Sequence, residues 1–357
     1  MTISIGVIGT GNIFPAYMKT LKRFRQLQIV GIASSNPESA ANMAKEFGLK
    51  AMGVDDLMAS EATLILNLTP PLAHHDIGIK VLQAGKHFFT EKPLAATFAE
   101  GKKLVALAKK QKLRIGCAPD TFLGAGGQAT RSMLDSGTLG AIRHGTAHFM
   151  CHGPDHWHPN PNFFYQKGAG PLLDVGVYYL THLVNHLGPI ASVSGKAHTT
   201  YQTRAISFGT NKGREIPVDV PTHIVTHLNF VSGAQIVLTS SFDIWQHSHP
   251  PFELYGDDGT LIGHDPNLFA GKIRFARQLG PWETLSEKRP YATNARGIGL
   301  IDMALSIERN TQHRCHDSLA LHVLEAMERA LDAARTGKEQ RLTTSCQRPE
   351  PLTEKLF

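Results

Sequence analysis

Short apolar runs alternate with amphipathic stretches through the first 120 residues. The apolar runs predict strands, and the continuously apolar ones are typical of parallel sheets that are buried on both faces. The stretches between them carry apolar residues at helical spacing. This alternation predicts a doubly wound Rossmann sheet with helices on both faces. The predicted strands are Ser4–Gly9, Gln28–Ser35, Thr63–Leu68, His87–Thr90 and Arg114–Cys117, and the predicted helices between them include Pro37–Phe47, Leu72–Ala84 and Thr97–Gln111.

After residue 120 the pattern changes to an alternation of period two. Thr222–Phe230 and Ala234–Phe242 flank a short turn, and Phe252–Tyr255 and Thr260–Ile262 flank a second, so both pairs predict hairpins. Two helices, Gly299–Arg309 and Ser318–Thr336, follow. We therefore predict a Rossmann domain over residues 1–120. We predict an α+β domain over 121–357 for substrate binding and oligomerisation, with a large, open, mainly antiparallel sheet covered by helices.

Length and composition fit two folded domains. The 357 residues exceed the roughly 250–300 at which a single core stops growing, and 42% of them are hydrophobic. The formal net charge of +6 comes from dispersed basic residues, which does not favour nucleic-acid binding. The four cysteines suggest no disulfide framework, and no apolar run is long enough to cross a membrane. We expect a cytoplasmic protein that binds neither nucleic acid nor membrane.

The turn after the first strand predicts a dinucleotide site. Gly9 permits a tight turn, Gly11 lets the backbone approach a pyrophosphate, and Asn12 and Ile13 lead into a helix whose N-terminus favours an anion. Phe14 replaces the third glycine of the fingerprint. The second strand ends in Ser34, Ser35 and Asn36, without the carboxylate that binds the ribose of NAD and without an arginine for NADP. NAD or NADP therefore remains open.

Several motifs resemble those of the Gfo/Idh/MocA oxidoreductases, which include glucose–fructose oxidoreductase and inositol dehydrogenase. Glu91-Lys92-Pro93 follows a predicted strand and matches the EKP motif of that family. Gly85-Lys86-His87, Gly168–Tyr178 and the segment Leu254–Leu261 extend the likeness over essentially the whole chain. The resemblance implies that Lys92 contacts both substrate and cofactor. It also implies cofactor contacts from the segment after the third predicted strand and from the EKP motif, namely Thr69, Pro70, His74 and Glu91.

Oxidising a secondary alcohol needs a base for the hydroxyl proton and a cation for the developing alkoxide. Lys92 can supply the cation, or share the proton if burial lowers its pKa. Asp174 and Tyr178 are four residues apart on a predicted helix, and His182 continues that face. In the family, the position four after the aspartate holds the acid–base group, often His and sometimes Tyr. Whether Tyr178, His182 or Lys92 takes the proton stays open here.

Two segments are predicted to shape a substrate pocket. Asp120 and Thr121 follow the last parallel strand, and their side chains can bond a polyol. In the histidine-rich loop, Trp157 is predicted to stack on a sugar while His158 and Tyr165 bond its hydroxyls. The histidines of that loop (His148, His152, His156 and His158) also suggest zinc, but its prolines and glycine do not fix a ligand geometry. We therefore predict no metal.

These residues favour hydride transfer between a nicotinamide and a hydroxyl of a sugar, sugar derivative or cyclitol. The alternative is an NAD-dependent glycosidase that oxidises a sugar transiently and shows no net redox change. A non-enzymatic dinucleotide sensor is a third hypothesis, against which Lys92, Asp174 and Tyr178 argue together. The apolar face of the open sheet needs a cover, so we expect a homodimer or homotetramer.

Overall fold

A parallel sheet forms first along the chain, as the alternation predicts. The structure is a computed structural model that describes residues 3–158, 160–286 and 288–357. Its first strands are β1 (Ile3–Ile8), β2 (Leu27–Ala33), β3 (Leu64–Asn67), β4 (His87–Thr90) and β5 (Ile115–Cys117). In the described residues they pair in the order β2-β1-β3-β4-β5, every pair parallel. Their carboxyl ends therefore share one edge, with the topological switch between β1 and β3.

Helices connect these strands. They are α1 (Phe14–Leu21), α2 (Pro37–Phe47), α3 (Val54–Ala59), α4 (His74–Gln83) and α5 (Phe98–Gln111). Local signals explain two of the starts: Asn36 accepts from the first amides of α2, and Thr97 forms a capping box with Glu100 at α5. The predicted helix Leu72–Ala84 is divided, because a short 3-10 turn at Pro71–Ala73 precedes α4.

A second, larger sheet follows and confirms the mainly antiparallel class. The strands after β5 are β6 (Ile142–Met150), β7 (Ile190–His198), β8 (Thr203–Ala205), β9 (Glu215–Pro217), β10 (His223–Phe230), β11 (Gln235–Ser241), β12 (Phe252–Gly256), β13 (Gly259–Gly263), β14 (Arg274–Arg277), β15 (Glu283–Thr284) and β16 (Gln340–Arg341). Among the described residues the order in the sheet is β15-β14-β13-β12-β6-β11-β10-β7-β16. Helix α6 (Ala125–Asp135) precedes the sheet, and α7 (Val177–Leu187) contacts β6.

Both predicted hairpins are present, with β10 antiparallel to β11 and β12 antiparallel to β13. One pair departs from the rule, since β11 runs parallel to β6. Side chains alternate across β10: Ile224 and Leu228 are buried, whereas His227 on the opposite face is exposed. The second face is thus more polar and more open than the helix-covered one.

The chain's last helices return to the parallel sheet. Helix α8 (Ile298–Arg309) lies near β5 and α1, and α9 (Asp317–Thr336) packs on α5, α7 and β7. The backbone amide of Cys117 donates to the carbonyl of Cys315 at 3.0 Å, which joins the two parts directly. The boundary at residue 120 stays a prediction. None of the described helices is both long enough and apolar enough to span a bilayer.

Candidate active site

Lys92 and Asp174 form an ion pair at the carboxyl edge of the parallel sheet. Lys92 follows β4, and its Nζ donates to Asp174 Oδ1 at 2.7 Å and to the Asp174 carbonyl at 2.6 Å. Their side chains are 16% and 24% exposed, so the pair is shielded but reachable. Burial alone lowers the pKa of Lys92, but Asp174, followed by Tyr178 and Glu91, raises it above its ordinary value. Lys92 is therefore held as a cation.

A widened turn of helix brings Asp174 to Lys92. Residues Leu172–Gly176 form a π-helical turn that passes directly into α7. Turns of this kind are frequent at functional sites, because they change the helical phase and leave backbone groups differently paired. The Asp174 carbonyl and carboxylate both face Lys92 as a result.

Tyr178 lies one turn further along this face, next to Lys92. Lys92 Nζ lies 5.4 Å from the centroid of its ring, and the charge of Arg296 also acts on its hydroxyl. Burial raises the pKa of Tyr178, whereas Lys92 and Arg296 act to lower it. The structure thus brings together Lys92, Asp174 and Tyr178, as predicted, and adds Arg296, which the sequence did not suggest.

Glu91 links this cluster to the first helix. Its Oε1 accepts from the hydroxyl of Tyr17 on α1 at 2.6 Å, and its Oε2 accepts from the Lys92 amide at 3.1 Å. Burial, reinforced by Glu91, raises the pKa of Tyr17. The EKP segment is therefore tied to the helix that follows the glycine turn.

The glycine turn has the shape that a dinucleotide requires. Gly9 has φ +102°, and a Cβ there would lie 2.6 Å from the Leu68 carbonyl carbon, so only glycine fits. A Cβ on Gly11 would meet nothing within 4 Å, and Gly11 and Asn12 are exposed. Helix α1 starts after Ile13 without a side-chain cap. An anion can therefore approach these amides, and the residues fit the pyrophosphate of a nicotinamide cofactor.

The other predicted cofactor residues lie along the same edge. Ser34 and Ser35 follow β2, while Asn36 is occupied in capping α2. Thr69 and Pro70 follow β3. His74 is fully buried, with Nδ1 2.7 Å from the Pro93 carbonyl and Nε2 2.8 Å from the Thr69 carbonyl. Burial lowers the pKa of His74, although its two hydrogen bonds to these carbonyls act to raise it. His74 thus links the backbone at Thr69 to the backbone of the EKP segment.

A cleft opens beside Lys92 and Asp174. One wall comes from the loop after β3, with Pro70, Pro71 and Leu72. The opposite wall comes from a loop of the second sheet, which contributes residues that the sequence did not single out: Phe163, Phe164, Gln166 and Lys167. The two adjacent phenylalanines were the available signal, because aromatic rings in a glycine-rich loop indicate a binding wall.

His182, Thr121 and Asp120 lie deeper than the cleft. His182 is 1% exposed, its Nε2 is 3.3 Å from Thr121 Oγ1, and its ring packs against Phe122. Burial, with His264 and His186, lowers its pKa well below the ordinary value. Asp120 Oδ2 accepts from the amides of Gly297 and Gly299 at 2.8 and 3.1 Å, and so caps the start of α8. The structure does not bring these three side chains to the Lys92 pair.

The histidine-rich loop is anchored by a buried arginine. Arg204, on β8, pairs with Asp155 and with Asp243, each at 3.1 Å. Tyr165 is fully buried, and its hydroxyl donates to Asp155, so it supports the loop from within.

Trp157 is 53% exposed and packs edge-on against Phe164, which places it at the outer rim of the cleft. His158 lies against the same ring. In the described residues, no three His, Cys, Asp or Glu side chains are grouped in a way that would hold a metal ion.

Two family models match this chain. Residues 3–118 match the model described as "Oxidoreductase family, NAD-binding Rossmann fold", and residues 128–262 match the "GFO/IDH/MocA C-terminal domain".

Among curated proteins, the chain is similar to levoglucosan dehydrogenase of Pseudarthrobacter phenanthrenivorans, with 25% identity over 65% of this chain and 63% of that one. It is also similar to dTDP-3,4-didehydro-2,6-dideoxy-alpha-D-glucose 3-reductase of Saccharopolyspora spinosa, with 25% identity over 73% of this chain and 74% of that one. The first of these matches thus spans less than two thirds of its relative. Among solved structures, a levoglucosan dehydrogenase in complex with NADH and levoglucosan superposes with a TM-score of 0.81 at 19% identity, over 96% of this chain and all of that one.

Proposed function

The chain belongs to the Gfo/Idh/MocA family of NAD-binding oxidoreductases, and from this premise we propose that it transfers a hydride between a nicotinamide and a secondary hydroxyl or ketone of a sugar, sugar derivative or cyclitol. One observation carries the proposal: a shielded cation, Lys92, lines a cleft at the cofactor edge, and its Nζ lies 5.4 Å from the centroid of the Tyr178 ring. The names of the relatives, a dehydrogenase and a reductase of sugars, support the substrate class.

The cofactor is assigned to the carboxyl edge of the parallel sheet. The amides of Gly11, Asn12 and Ile13 take the pyrophosphate, and Ser34 and Ser35 take the adenosine ribose. Glu38 in the first turn of α2 opposes a 2′-phosphate, which favours NAD(H) over NADP(H). The nicotinamide end then reaches the segment formed by Thr69, Pro70, Glu91 and Lys92. When bound, this cofactor supplies or accepts the hydride.

Tyr178 is the acid–base group in this proposal. Lys92 is paired with Asp174 and stays protonated, so it serves as a fixed charge and not as a base. His182 is buried beside Thr121, one helical turn beyond Tyr178. Tyr178 is the candidate whose ring lies beside the cation, and the raised pKa keeps it a phenol at neutral pH.

Reduction and oxidation use the same groups in opposite order. In reduction, hydride adds to the carbonyl carbon, Lys92 stabilises the developing alkoxide, and the Tyr178 phenol gives that oxygen its proton. In oxidation, the Tyr178 phenolate accepts the hydroxyl proton as hydride leaves the carbon. The cation beside the reacting oxygen stabilises the transition state more than the ground state, because negative charge develops on that oxygen during the reaction.

The cleft suits a ring with one apolar face. Phe163 and Phe164 offer that face, and Gln166 and Lys167 offer polar groups beside it. Trp157 and His158 stand at the rim for a larger substituent. Three further residues were predicted to bind substrate: Asp120, Thr121 and Tyr165. In this proposal they do not contact the substrate and instead support the backbone and side chains that they bond. The glycosidase alternative is not favoured by the relatives named above.

A screen of sugars and cyclitols tests the proposal. Protein freed of copurified cofactor is mixed with NAD⁺ or NADP⁺, or with the reduced forms and ketosugars, and reduced nicotinamide is followed by absorbance. We expect net oxidation or reduction of at least one sugar, and we expect the turnover rate of Tyr178→Phe to be lower by a factor of about 10²–10⁴. Aglycone release without net change in reduced nicotinamide would instead support the glycosidase. Full turnover in Tyr178→Phe would refute the acid–base assignment.

A further inference from the structure

A second recess adjoins the cleft beside Lys92 and Asp174. It is bounded by the start of α5, by α9, by β10 with the residues before it, and by the loop at residues 166–169. The loop belongs to both hollows, which share six lining residues: Leu72, Gln166, Lys167, Gly168, Ala169 and Leu173. The cleft and the recess are therefore continuous, and they lead from the ion pair toward α5 and α9.

The lining of the recess is mostly apolar. Its apolar side chains outside the shared residues come from α9, from β10 and from the segment before β10: Leu324, Leu331, Ile224, Val220 and Pro221. Leu72 stands where the two hollows meet, and it is 71% exposed. A ligand that covers this leucine and the neighbouring apolar surface is stabilised by the water that it displaces.

The polar groups of the recess make no strong demand for a polar ligand. Thr97 and Glu100 bond each other's backbone amides in the capping box of α5. Glu328 accepts from a further amide at the start of α5 at 2.9 Å. The remaining charged side chains, Lys167 and Asp219, are exposed to solvent. The surface that a ligand would meet inside is thus chiefly hydrocarbon.

The loop between the two hollows is fixed in place. Gly170 has φ +96°, and a Cβ there would lie 3.3 Å from Val220 Cγ2, so the loop closely approaches the segment before β10. The Gly170 amide donates to the Phe164 carbonyl at 3.0 Å, and its carbonyl accepts from the Asp174 amide at 2.9 Å. The recess therefore has a set position relative to the ion pair.

We propose that the recess binds an apolar substituent of the substrate, so that the substrate is a sugar derivative such as an alkyl or aryl glycoside. The inference rests on the proposed function, which places the reacting carbon beside Lys92. A free sugar carries hydroxyls around its ring and has no group that matches this lining, whereas an attached alkyl or aryl group reaches it from the cleft. A concave, apolar hollow continuous with the active site suits a small substituent better than the flat face of a second copy.

The test measures binding and needs no turnover. Methyl, butyl and hexyl β-D-glucoside are titrated by calorimetry into the protein loaded with NADH. A methylene removed fully from water tightens binding about fourfold, so Kd should fall about twofold to fourfold for each added methylene. The hexyl glucoside should then bind at least about 30-fold more tightly than the methyl glucoside. An equal Kd for the two glucosides would overturn the inference.

Variants locate the effect. Leu331→Gln places an amide in the recess and should lower the ratio of methyl to hexyl Kd by about fivefold or more. Leu107→Gln is the matched control, since Leu107 is also a half-buried leucine on a helix but lies outside the recess, and it should leave the ratio unchanged. Should Leu331→Gln not fold, Ala96→Leu fills the recess and should lower the ratio as well. A ratio that survives in these folded variants would overturn the inference.

Two further outcomes separate this inference from its alternatives. If the sugar screen finds turnover but the hexyl glucoside binds no better than the methyl glucoside, the recess assignment is wrong and the proposed function stands. If the chain-length dependence is present and is lost in Leu331→Gln while no sugar is turned over, the recess assignment stands and the proposed function fails. An oligomer that dissociates in Leu331→Gln, with glucoside affinities unchanged, would identify a second copy as the occupant and overturn the inference.

Discussion

Removing Lys92 should separate catalysis from stability. In Lys92→Met, Asp174 loses the cation that lies 2.7 Å away and is left as a shielded carboxylate. Breaking a fully buried pair costs about 3–5 kcal/mol, and losing an exposed pair costs about 0–1. Side chains that are 16% and 24% exposed stand between these limits. We therefore expect Lys92→Met to lower the free energy of unfolding by about 2 kcal/mol.

The double variant Lys92→Met with Asp174→Asn is the decisive control. It removes the stranded charge, so it should recover most of the lost stability, measured as the midpoint of urea unfolding. Turnover should not recover, because the cation at the developing alkoxide is still missing, and both variants should be about 10²–10⁴ slower than wild type. Affinity for NAD(H), measured by calorimetry, should stay within a small factor, since the pyrophosphate and ribose bind elsewhere. Recovered turnover in the double variant would refute the catalytic role of Lys92.

Three further predictions follow from other parts of the structure. Gly11→Ala should fold normally, because its Cβ meets nothing within 4 Å, yet should weaken NAD(H) binding by calorimetry, whereas Gly9→Ala should destabilise the fold. Burial raises the pKa of Asp120 to about 6, so the charge that holds the start of α8 should be lost below that pH. The turnover rate of the wild type should therefore fall as the pH drops below about 6, and this fall should be absent in Asp120→Asn. A wild type whose turnover rate does not fall in that range would contradict the prediction. Because the pKa of Asp120 in the folded protein lies above its ordinary value of 3.8, protonation of Asp120 stabilises the fold below pH 3.8, and this contribution should disappear as the pH rises through about 6. The open sheet face should pair with a second copy, and a strict monomer in sedimentation at micromolar concentration would count against a homodimer or homotetramer.

The first sheet was predictable because its signals are local. Helix α2 and strand β4 have the predicted ends, since proline, a capping Asn36 and continuous apolar runs mark them within the sequence. The pairing of β6 with β11 was not predictable in this way. The hairpin turn before β11 fixes only its pairing with β10, and no turn joins β11 to β6, so this pairing depends on how the whole sheet is assembled. Strand β7 was missed for the same reason.

The residues of the candidate site also differ in how far the sequence could predict them. Lys92, Asp174 and Tyr178 could be proposed from a short motif and a helical spacing, and the structure brings them together. The same spacing also selected His182, but a helical face does not stay at one depth. Four residues beyond Tyr178, the face has passed into the core, where His182 packs against Phe122. Periodicity therefore indicates which side a residue occupies and leaves its burial undetermined.

The position of Arg296 could not be predicted from a sequence motif. Nothing near it in the chain marks a catalytic role, because its position depends on Asp120 holding α8 and on Asn267 holding the guanidinium. Its charge acts on Tyr178 and lowers the pKa of that hydroxyl against the effect of burial. A tyrosine ionises at about 10, far above a histidine at about 6.5, so a site that uses tyrosine gains more from a second cation. With Tyr178 as the proposed acid–base group, replacing it by His should make Arg296 unfavourable for catalysis, since the guanidinium would oppose protonation of the imidazole.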